Sequence, residues 1–131
     1  MGKFSELDQV SKALQYELEQ FTLTMRAIEE KINKIRPSVK TSIRVEGTDL
    51  LLSYEKRERW GLVITDTKMG TSWYYNDAPH YHRIKAVKAL ADLIPAIRAT
   101  SQATRERASE ALKMANRILD DMEDPTNADH E

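Results

Sequence analysis

The sequence predicts an α+β domain. It has a long N-terminal helix, a four-stranded antiparallel meander and a long kinked C-terminal helix antiparallel to the first, with both helices on one face of the sheet. Three observations carry this. Apolar residues recur in steps of three and four over the first third of the chain and again over the last third, the period of long helices lying along one another. Between them, apolar and polar residues alternate in short runs, the period of a half-buried strand. Clusters of Gly, Thr, Asp and Asn separate those runs.

The first stripe is Phe4, Leu7, Leu14, Leu18, Phe21, Met25, Ile28, Ile32 and Ile35, with only Ser11 out of type. It predicts one helix over about residues 4–36, capped by Ser5, with Glu6 and Asp8 well placed in its first turn. Pro37 ends it, because the residue before a proline avoids the helical region. Val39, Thr41, Ile43 and Val45 alternate with polar residues and predict the first strand. Gly47, Thr48 and Asp49 form a turn, and Leu50 to Tyr54 the second strand. Glu55 to Arg59 is a charged hairpin tip before a third strand from Trp60 to Thr65. A turn at residues 66–70 leads into a short fourth strand from Ser72 to Tyr75. Pro79 suits the first position of the last helix. That helix carries Ile84, Val87, Ala91, Ile94, Ala108, Leu112, Ala115, Leu119 and Met122, with Arg98, Ser101 and Arg105 filling the slots between. Pro95 lies inside it. The register continues across this proline, so a kinked, nearly continuous helix is expected rather than a break.

An even number of strands returns the chain to the end of the sheet where it entered, which predicts antiparallel helices with residue 36 near residue 79. Helices of these lengths span roughly 50 and 65 Å, whereas six- to eight-residue strands span about 20 to 25 Å. The sheet therefore cannot cover both stripes. The remainder, with Leu7, Leu14, Leu18, Phe21, Leu112 and Leu119 as its interface residues, is expected to bury helix on helix and in a second copy. A two-fold homodimer with coiled-coil character is the simplest form.

The 131 residues suit one domain, read as residues 1–119 followed by an acidic tail over 120–131. The chain has no cysteine, which excludes a disulfide framework and thiolate metal sites. Its start lacks the apolar run of a signal peptide, and no stretch approaches membrane-spanning length, so a cytoplasmic protein with no membrane partner is expected. Net charge is −1 overall but uneven. Residues 78–119 carry a net of +5 and residues 120–131 a net of −6.

Arg98 and Arg105 lie one heptad apart in the seam with Ser101 between them. With Arg83 and Lys88 on the same helix they are the candidate ligand-binding residues, for nucleic acid or a small phosphorylated ligand. An ion pair with Glu17 or Glu19, or plain exposure where Pro95 disturbs the helix, is the structural alternative for the seam arginines. Trp60, Trp73 and Tyr75 fall by alternation on the helix-covered face and read as core. Leu51, Val63 and Tyr74 fall on the other face, a candidate surface for a protein partner. His80 and His82 are two apart, so on a helix they point in different directions and cannot share an ion, and no metal site or cofactor is expected. No nucleophile motif or phosphate-cradling loop is present, so the chain reads as a non-enzyme. The reading that results is a self-associating interaction module built on its heptad-patterned helices.

Overall fold

The computed structural model describes residues 2–123. Its elements are α1 (Lys3–Ile35), β1 (Thr41–Arg44), β2 (Leu50–Lys56), β3 (Trp60–Asp66), β4 (Thr71–Tyr74), a 3-10 turn (Tyr75–Asp77) and α2 (His80–Glu123). The strands form one antiparallel sheet in the order β1-β2-β3-β4. The fold class is the one the hydrophobic patterning predicts. The first four residues of the acidic segment continue α2, and the rest of that segment lies outside the described residues.

Local differences have local causes. Gly2, at a φ of 106°, precedes α1 with no side-chain cap, and Ser5 lies within the helix. Arg36 ends α1 in the left-handed region, its N–H bonded to the Ile32 carbonyl, and Pro37 prevents continuation. Tyr75 leaves β4 for the 3-10 turn. α2 is continuous through Pro95. Pro95 and Ala91 are both exposed, so the carbonyl that loses its partner has water available.

The core lies between the sheet and both helices. Pairing of Leu52 with Ile64 and of Tyr54 with Leu62 puts these four on one face. Met25 and Ile32 of α1 and Ala86, Ala89, Leu90, Leu93 and Ile97 of α2 close over them. Trp60 and Trp73 pack against the same cluster, as alternation predicts, with Trp60 stacked on Tyr54 at 5.3 Å. The small Ala86 and Ala89 let α2 approach the strands closely. The row of α2 expected to face inward, Ile84, Val87, Ala91 and Ile94, instead faces out, with Ile84 and Ile94 about half exposed. α2 carries two apolar rows, and the sheet takes the one with Ala86, Ala89, Leu90, Leu93 and Ile97.

One relation within the fold differs from expectation. Thr22 of α1 contacts Asn76 and Arg83, while Ile32 and Ile35 share a groove with Ile94, Ile97 and Arg98. Higher numbers meet higher numbers, so the helices run in the same sense. The cause is the shortness of β4. It pairs with only the far part of β3, from Asp66 to Val63. The 3-10 turn and Pro79 then reverse the chain, and α2 starts back at the Asp66 end, where His82 Nε2 lies 4.0 Å from Asp66 Oδ2. α1 descends toward the opposite end, where Asn33 Oδ1 accepts from the Tyr54 hydroxyl at 2.7 Å and its Nδ2 donates to the Trp60 carbonyl. Glu29 accepts from the Leu62 N–H at 3.0 Å, occupying the β3 edge that β4 leaves open, and pairs with Arg59.

Helix-on-helix contact within the chain is therefore slight. Residues 3–20 of α1 are exposed except for the half-buried Leu18, and residues 104–123 of α2 are exposed throughout. Because the helices share a direction, these two arms leave from opposite ends of the sheet.

The buried side of α2 yields a first prediction. Leu93 has no exposed surface. Leu93→Ala should lower the unfolding free energy by about 2–5 kcal/mol, read by urea denaturation. The buried Tyr75 hydroxyl donates to the Arg83 carbonyl, and burial pushes its pKa above the usual 10.0, against the smaller opposing effect of the Arg83 charge. A raised folded value means the contribution is complete below the unfolded value and is lost as pH rises beyond it. The urea midpoint should fall between about pH 9 and about pH 11, and Tyr75→Phe should flatten that fall.

Candidate functional site

An apolar concavity lies where α1 ends beside the middle of α2. Ile32 and Ile35, from the last turns of α1, and Pro37, just beyond the left-handed Arg36, form one wall. Ile94 and Ile97 form the other, and Arg98, Ser101, Gln102 and Arg105 continue it along α2. The groove holds about 430 Å³ and is lined mainly by apolar surface. Ile97 is buried beneath it, while Arg98 and Arg105 stand exposed at its rim. Among the described residues, neither arginine has a carboxylate within 4.0 Å.

Three of the five candidate ligand-binding residues thus meet: Arg98, Ser101 and Arg105. Their surroundings differ from those expected. They sit beside Ile32 and Ile35, not beside Glu17 and Phe21, because the helices share a direction. Arg83 lies elsewhere. Its Nη1 donates to Thr22 Oγ1 at 2.8 Å, in a joint where Asn76 Nδ2 also donates to the Thr22 carbonyl. That joint ties α1 to the start of α2. Lys88 lies at the Asp66 end of the sheet beside Arg44, Val45, Glu46 and Asp92.

The expected interface residues divide in two. Phe21 packs against the core with its ring edge-on to Tyr75 at 6.1 Å, and Leu18 is half-buried. Leu7, Leu14, Leu112 and Leu119 are 49–62% exposed, and among the described residues nothing covers them. They belong to two stripes. One runs through Phe4, Leu7 and Leu14, and the other runs outward along α2 from Ile84 to Met122. His82 turns toward Trp73, ring centres 5.6 Å apart, while His80 is exposed.

The far face of the sheet is occupied by contacts that alternation alone does not reveal. Ser42 and Ser53 hydroxyls pair at 2.8 Å and Thr65 and Ser72 at 3.0 Å, in registered positions of adjacent strands. The Tyr74 hydroxyl accepts from the N–H groups of Glu58 and Arg59, and the Arg59 guanidinium lies 4.2 Å over its ring. Val63, placed on this face as part of an apolar patch, has no exposed surface, and Leu51 and Tyr74 are half-buried. The signal that was available is a Ser or Thr at a matching alternate position of each strand. The hydroxyl of Tyr54, on the core face, is held protonated: burial, and then the Glu29 carboxylate, raise its pKa.

Compared with known proteins, this chain matches no family model, no curated protein and no solved structure. No helix among the described residues is long and apolar enough to cross a membrane.

Exposed arginines without partners contribute little to the fold of one chain. Arg98→Ala and Arg105→Ala should each leave stability within about 0.5 kcal/mol of the parent when unfolding is followed at a concentration low enough to keep chains apart.

Proposed function

We propose that this protein is a non-enzymatic assembly module whose long helices associate with those of other copies. The observation that carries the reading is the pair of uncovered arms. Each holds a stripe of large apolar side chains at heptad spacing, and the shared direction of the helices leaves neither stripe a partner among the described residues. Isolated helices of this kind are marginal in water, because most helix stability comes from packing of the apolar face. Exposed apolar stripes of this length mark contact surfaces. A homodimer is the simplest assembly that covers one of them.

Binding of nucleic acid or a phosphorylated ligand through the basic helix has less support. Arg83 is engaged with Thr22, and Lys88 is remote from Arg98 and Arg105 and lies near two carboxylates. The basic residues do not form one continuous surface.

Light scattering tests the reading directly. The chain should show a mass above its 15.1 kDa at tens of micromolar. Leu112→Asp, on an exposed turn of α2, should lower that mass toward a single chain and lower the melting temperature with it. A parent chain that stays at 15.1 kDa through the micromolar range overturns the assembly reading.

A further inference from the structure

We propose that the groove between the end of α1 and the middle of α2 receives the C-terminal end of α2 from a second copy, in an antiparallel two-fold pairing of the α2 arms. This rests on the self-association reading and names the surfaces that would carry it.

Charge complementarity identifies the occupant. The groove is apolar within and bears Arg98 and Arg105 at its rim, with no carboxylate partner among the described residues. The segment of this chain with the matching character is the end of α2. There Leu119 and Met122 adjoin Asp120, Asp121 and Glu123, and residues 120–131 contain six acidic side chains and no basic one. The chain cannot supply that segment to its own groove. Ser101 and Leu119 lie on one continuous helix and are about 27 Å apart at 1.5 Å per residue.

The outward stripe of α2 also fits this pairing. In an antiparallel pair, facing residue numbers have a constant total, and a total of about 220 brings every seam position from Arg98 to Met122 opposite another seam position. Leu119 of one copy then meets Ser101 of the other, at the mouth of the groove. Met122 and the adjoining acids come level with Arg98. Ala115 leaves room for the stem of Arg105, and Ala108 faces Leu112. Beside the two-fold axis, Ser109 and Ala111 each approach their own counterparts, and such small side chains permit close packing. The stripe ends at Met122, three residues before Pro125, so it is long enough to reach the groove and no longer. The polar break at Arg98, Ser101 and Arg105, which would weaken a wholly apolar seam, becomes the docking site for an acidic helix end.

A charge exchange tests this on the full chain. One variant carries Arg98→Glu and Arg105→Glu. The other carries Asp120→Lys, Asp121→Lys and Glu123→Lys. All five positions are exposed, and circular dichroism should show each variant as helical as the parent. Alone, each should dimerise at least tenfold more weakly, because like charges meet at both ends of the pair. Mixed, they should recover the parent's affinity, because every groove then meets a tip of opposite sign. The register has its own check in a chain without native cysteine. Ser101→Cys with Leu119→Cys should oxidise to a covalent dimer, whereas Ser101→Cys alone should not. If both charge variants and their mixture keep the parent's mass, and the double cysteine variant does not cross-link, the docking is wrong while self-association stands. If the parent itself is a single chain at these concentrations, the docking and the assembly reading both fall.

Discussion

The extent of the sheet constrains everything else in this molecule. β2 and β3 have seven residues each and β1 and β4 only four, against helices of 33 and 44 residues. At about 3.3 Å per strand residue and 1.5 Å per helix residue, the helices outrun the strands by a factor of two or more. A sheet of that size supplies a floor for Met25 and Ile32 on one helix and for five residues of the other. Beyond that floor each helix meets water on every side. On α1 the exposed Phe4, Leu7 and Leu14 continue the row that holds Met25 and Ile32, whereas on α2 the exposed apolar residues form a separate row in its own register.

Polar contacts then decide how the helices lie across the sheet. Glu29 takes the Leu62 N–H that the short β4 leaves without a strand partner, and Asn33 bonds both Tyr54 and Trp60. These hold α1 against one end of β3. Thr22, Asn76, Arg83 and Tyr75 tie the start of α2 to the middle of α1. Each is a directional contact between partly buried groups, and such groups are costly to leave unpaired. Packing alone would accept several helix orientations, and these contacts select one.

Much of the fold was legible in the sequence because it is written in periodicity. Alternation placed Trp60 and Trp73 on the helix-covered face correctly, and the three-four spacing gave both helices nearly to their ends. Two things were not legible. The direction of α2 depends on where β4 stops, and Tyr75 suits a strand or a turn equally well by composition. The second apolar row of α2, with Ala86, Ala89, Leu90, Leu93 and Ile97, was masked by a stronger heptad row, and alanines give little signal in such a pattern. The site shows the same division. Arg98, Ser101 and Arg105 were found from the break they make in the stripe. Their neighbours Ile32, Ile35 and Pro37 could not be assigned to them without the path of the chain.

The two arms leave from opposite ends of the sheet, and under the proposed self-association this bears on what the molecule would build. A body with one adhesive pole closes into a pair and stops. A body with an adhesive pole at each end has a valence of two, and a pair formed through one pole still offers the other at both extremities. Growth then depends on concentration and on how strongly the second pole binds, and the product is a string of finite or indefinite length rather than a fixed particle.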